Sequence, residues 1–157
     1  MNLDASEKTI ALFRRFRPRD TSLVAAVSDE EREIDFCVFN DVSGVNYITD
    51  AGSSADNAIT KDTPRERRRM RTQTLRQLLD RHVPAGARVD LLNVDVEGQD
   101  LRVLKSNDWS KYQPRVILVE DWQPEEQSEI VAFCRGLGYR LAATCHLTRI
   151  FMRPPPP

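Results

Sequence analysis

The stretch VDLLNVDVEGQDLRVLKSNDW (residues 89–109), followed by PRVILVE (114–120), decides the fold. Val89–Val96 and Arg115–Val119 are short apolar runs rich in β-branched residues, and each ends in acids. Such runs read as strands buried on both faces of a sheet. Between them Gly98 turns the chain into a short helix with Leu101 and Leu104 inward. Strand, helix and strand in succession predict layers of helix over sheet.

Upstream, Thr74 and Gln77 have the spacing of a capping box. They open a helix with a Leu75, Leu78, Leu79, Val83 stripe, closed by Pro84 and Gly86. The basic segment RERRRMR (65–71) reads as a solvated edge leading into that helix. A nucleic-acid patch is the other reading, but no aromatic residue interleaves with the arginines. Residues 41–64, with Gly44, Gly52, Asn57 and Pro64, read as a long loop shaping a pocket. Glu33–Asn40 predicts a strand paired with Ser22–Val27 across the acidic turn 28–31. A first helix starts at Ser6, carries Ile10, Phe13 and Phe16, and stops at Pro18. Downstream, Pro124 opens a helix with Ile130, Val131, Phe133, Cys134 and Leu137 inward. Tyr139–Thr144 and Leu147–Met152 close the chain as a tight antiparallel hairpin through Cys145-His146. The expectation is an α/β domain over residues 1–153, its sheet mostly parallel with an antiparallel C-terminal strand. A mobile proline tail, 154–157, follows.

The length of 157 residues fits one domain. The 24 acids and 23 bases give a net charge of −1, so no general pull toward nucleic acid or an anionic membrane is expected. No apolar run has the length of a membrane span, and MNLDASEKTI does not resemble a secretory signal. Cys37, Cys134 and Cys145 form no CxxC pair and read as small hydrophobes in a reducing, cytoplasmic setting.

In open α/β sheets, ligands bind beyond the carboxyl ends of the strands. Those ends offer Asp4, then Ser28 and Asp29, then Asp95 and Glu97, then Glu120 and Asp121. Acids along one lip suit a ligand with hydroxyls and a positive centre. Asp95 and Glu97 lie two apart, so both can face one point, and Gly98 leaves room for a ligand. The pair can take a proton from an attacking hydroxyl or hold a divalent cation. Equally, Asp95 can cap the next helix and Glu97 can form a surface ion pair. His146, in the hairpin turn, is a base if that turn folds over the pocket.

The same stretch, an apolar strand ending in D-x-E-G and then a leucine-bearing helix, resembles the FkbM-type methyltransferase family. TLRQLLD (74–80), LDASEKTIALFRR (3–15), SLVAAVSDE (22–30) and GYRLAATCHLTRIFMR (138–153) resemble the flanking parts of that family. The resemblance implies a Rossmann-like class I methyltransferase sheet. It also implies S-adenosyl-L-methionine as cofactor and transfer of its methyl group to a hydroxyl of a small molecule or sugar. By position, Asp4 matches the acid that binds the adenosyl ribose. Ser28 and Asp29 match the region beside the adenine, and Asp95 lies where donor and acceptor meet. Asp95 and Glu97 are the catalytic candidates; Glu120 and His146 are candidates to line the acceptor pocket. No resident metal, nucleic acid or membrane is expected.

Family members carry a first strand and a glycine-rich cofactor loop ahead of the segment matched by Asn2–Asp4, and Met1 here stands already at that point. The expectation is therefore a truncated methyltransferase that binds the cofactor weakly or not at all. The alternative is a non-catalytic relic or interaction domain that keeps the fold. A different nucleotide-binding enzyme fits less well, because no G-x-G-x-x-G is present.

Overall fold

The structure, a computed structural model, describes residues 1–39, 46–52 and 63–154. The chain runs β1 (Asn2–Asp4), α1 (Glu7–Phe16), β2 (Ser22–Val24), β3 (Ala26–Val27), β4 (Glu33–Val38), β5 (Tyr47–Asp50) and β6 (Glu66–Gln73). It continues with α2 (Leu75–His82), β7 (Leu91–Val94), α3 (Asp100–Lys105), β8 (Val116–Glu120), α4 (Glu129–Gly136), β9 (Arg140–Cys145) and β10 (Thr148–Met152). The α/β class is as expected, but the strands divide among three sheets of mixed direction.

The first sheet is the parallel pair β1–β2. The second has the order β7-β8-β10-β9, with β7 and β8 parallel and the C-terminal hairpin antiparallel. The third has the order β3-β6-β4-β5, with only β3 and β6 parallel. The expectation of one mostly parallel sheet is corrected in these terms. Ser22–Val27 is not one strand. Its first half pairs with β1, and its second half passes to β6 in another sheet. Consequently β4 does not pair with its predecessor; it lies between β5 and β6.

The arginine segment is a strand inside the third sheet, not an edge. Its side chains stand opposite acids on β4 and the preceding turn. Arg69 reaches Asp35 at 2.8 Å, and Arg71 reaches Glu31 at 3.0 Å. Cross-strand pairs of opposite charge stabilise a sheet, and here they compensate for weak β propensity. Within the expected loop, residues 47–50 form β5. Residues 40–45 and 53–62, and the prolines at 155–157, lie outside the described residues.

The main core gathers Leu75, Leu78 and Leu79 of α2, Val103 and Leu104 of α3, and Ile130, Val131 and Cys134 of α4. They pack with Val94, Ile117, Val119 and Phe151 from the second sheet. Leu92↔Ile117 and Val94↔Val119 are register partners on β7 and β8. Side chains alternate faces along a strand, so these pairs form the helix-covered face. Leu91 and Asn93 fall on the opposite, open face, and Leu91 is 56% exposed. A smaller core of Ala26, Ile34, Phe36 and Val38 serves the third sheet. Helix starts follow the sequence. Ser6 and Ser128 cap α1 and α4, and the Thr74–Gln77 capping box is complete. Cys37 and Cys134 are buried as expected, but Cys145 is exposed at the hairpin.

Ile117 is fully buried at the centre of this packing. Ile117→Ala is expected to lower unfolding free energy by about 2–5 kcal/mol, whereas Leu91→Ala on the open face should cost far less. Urea denaturation of the two variants measures the contrast.

Candidate functional site

β7 and β8 run parallel and in register, and their apolar runs end together. Val94 is level with Val119, so the next residues, Asp95 and Glu120, emerge side by side. They continue the open face of the sheet rather than the helix-covered one. After β7 the chain turns through Glu97 (φ 52°) and Gly98 (φ 89°) before α3 starts. Each of Asp95, Glu97 and Glu120 offers a carboxylate oxygen, and these oxygens lie within 4.8 Å of one another. Asp95 is exposed, while Glu97 and Glu120 are half-buried. The Oε2 atom of Glu120 is shut off from solvent and has no hydrogen-bond partner among the described residues.

Like charges this close resist joint ionisation. Burial, helped by Glu120, Asp95 and Asp100, pushes the Glu97 carboxyl up to about 7. Burial also raises Glu120, against a hydrogen bond from the Trp122 side chain; Asp95 adds to the rise and the nearby His146 opposes it. His146 is the left-handed first residue of the β9–β10 turn, φ 54°, and is exposed. The ladder carries that turn to the site. Thr148 is opposite Glu120, and the Asp121 N–H donates to the Leu147 carbonyl at 2.9 Å. The arrangement can hold a shared proton, accept one from a neighbouring hydroxyl, or face a cation.

The other sequence candidates stand at other strand ends. Asp4 closes β1, is half-buried, and accepts the Ser6 N–H at 2.7 Å. Burial raises its pKa against that hydrogen bond. It is not one of the three clustered carboxylates. Ser28 follows β3 and is fully buried, its hydroxyl donating to Asp29 at 3.0 Å. Slight burial raises the Asp29 carboxyl, but the Ser28 hydroxyl, its own backbone N–H, Arg102 and Arg32 outweigh that and lower it. The structure therefore brings Asp95, Glu97, Glu120 and His146 together, and leaves Asp4 and the Ser28–Asp29 pair in separate sheets.

Sequence reasoning passed over two acids. Asp100, 3% exposed, accepts backbone N–H bonds from Val96 at 3.2 Å and Gly98 at 3.1 Å. Its signal was an acid three residues after Glu97, at a helix start. Asp121 was noted only as a strand end. It is 5% exposed, accepts the Ser128 hydroxyl at 2.5 Å, and approaches Arg149 at 3.4 Å. It ties α4 to the hairpin, a structural task.

Two comparisons with known proteins, one against curated proteins and one against solved structures, give no match. A third does. The family model described as the methyltransferase FkbM domain matches residues 5–141. Among the described residues, no helix is long and apolar enough to cross a membrane.

The raised Glu97 carboxyl has a consequence for stability. The folded chain holds that proton more tightly than the unfolded chain does. Its contribution therefore favours folding below the ordinary carboxyl range and is lost as pH rises through about 7. After discounting for solvent screening, the effect is on the order of 1 kcal/mol. Urea unfolding at pH 5.5 and pH 8 reads it together with the buried Asp100, whose carboxyl is pushed up to about 6, and Glu97→Gln should reduce the difference.

Proposed function

The chain belongs to the FkbM methyltransferase family, and on that premise we propose that it is an S-adenosylmethionine-dependent O-methyltransferase. The proposed acceptor is a hydroxyl on a small molecule or sugar, and the three sheets serve as parts of a Rossmann-like arrangement. The observation that carries this reading is the convergence of Asp95, Glu97 and Glu120 at the tips of two adjacent strands. A set of carboxylates with an unpartnered buried oxygen fits a cationic ligand. When bound, the cofactor supplies a methyl group on a positively charged sulfonium.

The chain's own residues then divide the work. Asp4, half-buried at the end of β1, would accept from both ribose hydroxyls, which a carboxylate can do at once. Ser28 and Asp29 would lie beside the adenine. Asp95, exposed at the end of β7, would orient the acceptor hydroxyl. Glu97 would take the hydroxyl proton as the oxygen gains its methyl group. A base is most effective when its pKa lies near the working pH, and Glu97 at about 7 meets that condition. Glu120 and His146 would line the acceptor side.

Amide NMR of the chain with S-adenosylmethionine at millimolar concentration tests the reading. The expected result is weak, saturable shifts at Asp4, Ser28, Asp29 and Asp95–Gly98. S-adenosylhomocysteine, which lacks the sulfonium charge, should shift the Asp95–Gly98 group less. Binding of the charged form should tighten as pH rises through about 7, because Glu97 then ionises. The absence of shifts at these positions, or equal response to both nucleosides at Asp95–Gly98, would contradict the assignment.

A further inference from the structure

We infer that Asp100 is the positioning residue of the carboxylate cluster. By tying down the N–H groups of Val96 and Gly98, it holds Glu97 between them in a left-handed backbone conformation, with its carboxylate beside Asp95 and Glu120. The consequence for catalysis rests on the methyl-transfer reading; the strap itself does not.

Three observations carry it. First, β7 ends at Val94, so the next backbone donors have left the ladder. Backbone N–H groups outside a ladder need other partners, and Asp100 serves two of them, on half-buried Val96 and exposed Gly98. Val96 donates to one of its oxygens and Gly98 to the other. Second, the residue between those two donors is Glu97 at φ 52°, a region that side chains other than glycine seldom occupy. Such a conformation persists where its surroundings over-determine it. The two bonds grip the chain on both sides of the strained residue. Third, Asp100 is 3% exposed and forms no ion pair among the described residues. Hydrogen bonds offset the cost of burying a carboxylate; here the backbone donors offset part of it, and burial still pushes the Asp100 carboxyl up to about 6.

The competing role is a plain acid at a helix start. α3 has only six residues, and Gln99 makes no side-chain cap bond, so a charge in its first turn would suit the helix dipole. That role acts on α3. The strap acts on Glu97.

The two roles separate in measurements that need no cofactor and no acceptor. Asp100→Ala should lower the melting temperature in the wild type and in a Glu97→Gly background alike, since the Val96 and Gly98 amides lose their acceptor in both. Hydrogen exchange gives the deciding reading. In Asp100→Ala, the Val96 and Gly98 amides should exchange about tenfold faster, while Val103–Ser106 keep wild-type rates. The three-bond HN–Hα coupling of Glu97 should also leave its wild-type value. If Asp100→Ala does not fold, Asp100→Asn, which keeps one acceptor oxygen, should show the same pattern at smaller amplitude. Faster exchange confined to α3, or an unmoved Glu97 coupling in Asp100→Ala, would overturn the inference. A failure of S-adenosylmethionine to bind leaves this result untouched, so the two claims fail separately.

Discussion

The register between β7 and β8 is the constraint from which the site follows. Two apolar strands pair in parallel, Leu92 with Ile117 and Val94 with Val119, and these residues fill the helix-facing core. A shift of one residue would move those side chains to the other face. With the register fixed by burial, Asp95 and Glu120 must emerge together, and like charges side by side are unfavourable. The cost is met by the core beneath them. The hydrophobic energy that sets the strand pairing also holds the carboxylates closer than they would sit alone.

The rest of the arrangement relieves or exploits that crowding. One route is protonation: through burial first and its acidic neighbours second, Glu97 retains its proton up to about 7, where an ordinary carboxyl would have lost it. Another is a partner for Glu120: the Trp122 side chain hydrogen-bonds to it, and the antiparallel hairpin brings His146 close enough to oppose its upward shift as well. A third is a bound cation, which the family's sulfonium cofactor would provide. The turn that delivers Glu97 carries the backbone strain, at φ 52°, and the buried Asp100 lies directly beneath that turn's amides. Strain and desolvated charge therefore meet at one strand tip, as they often do at functional sites.

Much of this was legible in the residues. The apolar runs, the Thr74–Gln77 capping box, the serine cap of α1 and the tight final hairpin all rest on local chemistry, and the structure keeps them. The grouping of Asp95 with Glu97 was expected from period-two spacing, but β7 ends at Val94 and the left-handed turn at Glu97 makes it; that of Glu120 came from its place at a strand end. What failed was non-local. Nothing in SLVAAV signals that Ala25 divides it between two sheets, because both halves are equally apolar. The arginine segment hides a strand, since its β character comes from Glu31, Glu33 and Asp35 across the ladder rather than from its own side chains. Asp100 was passed over because burial of an acid at a helix start cannot be seen until the turn above it is built.

The most direct measurement is a carbon-13 titration of the side-chain carboxyls, read by NMR. Burial, together with crowding at the strand tips, predicts a Glu97 midpoint near 7, lowered in part when Glu120→Gln removes one neighbour. A wild-type Glu97 midpoint in the ordinary range, unmoved by that substitution, would show that the carboxylates do not share one site.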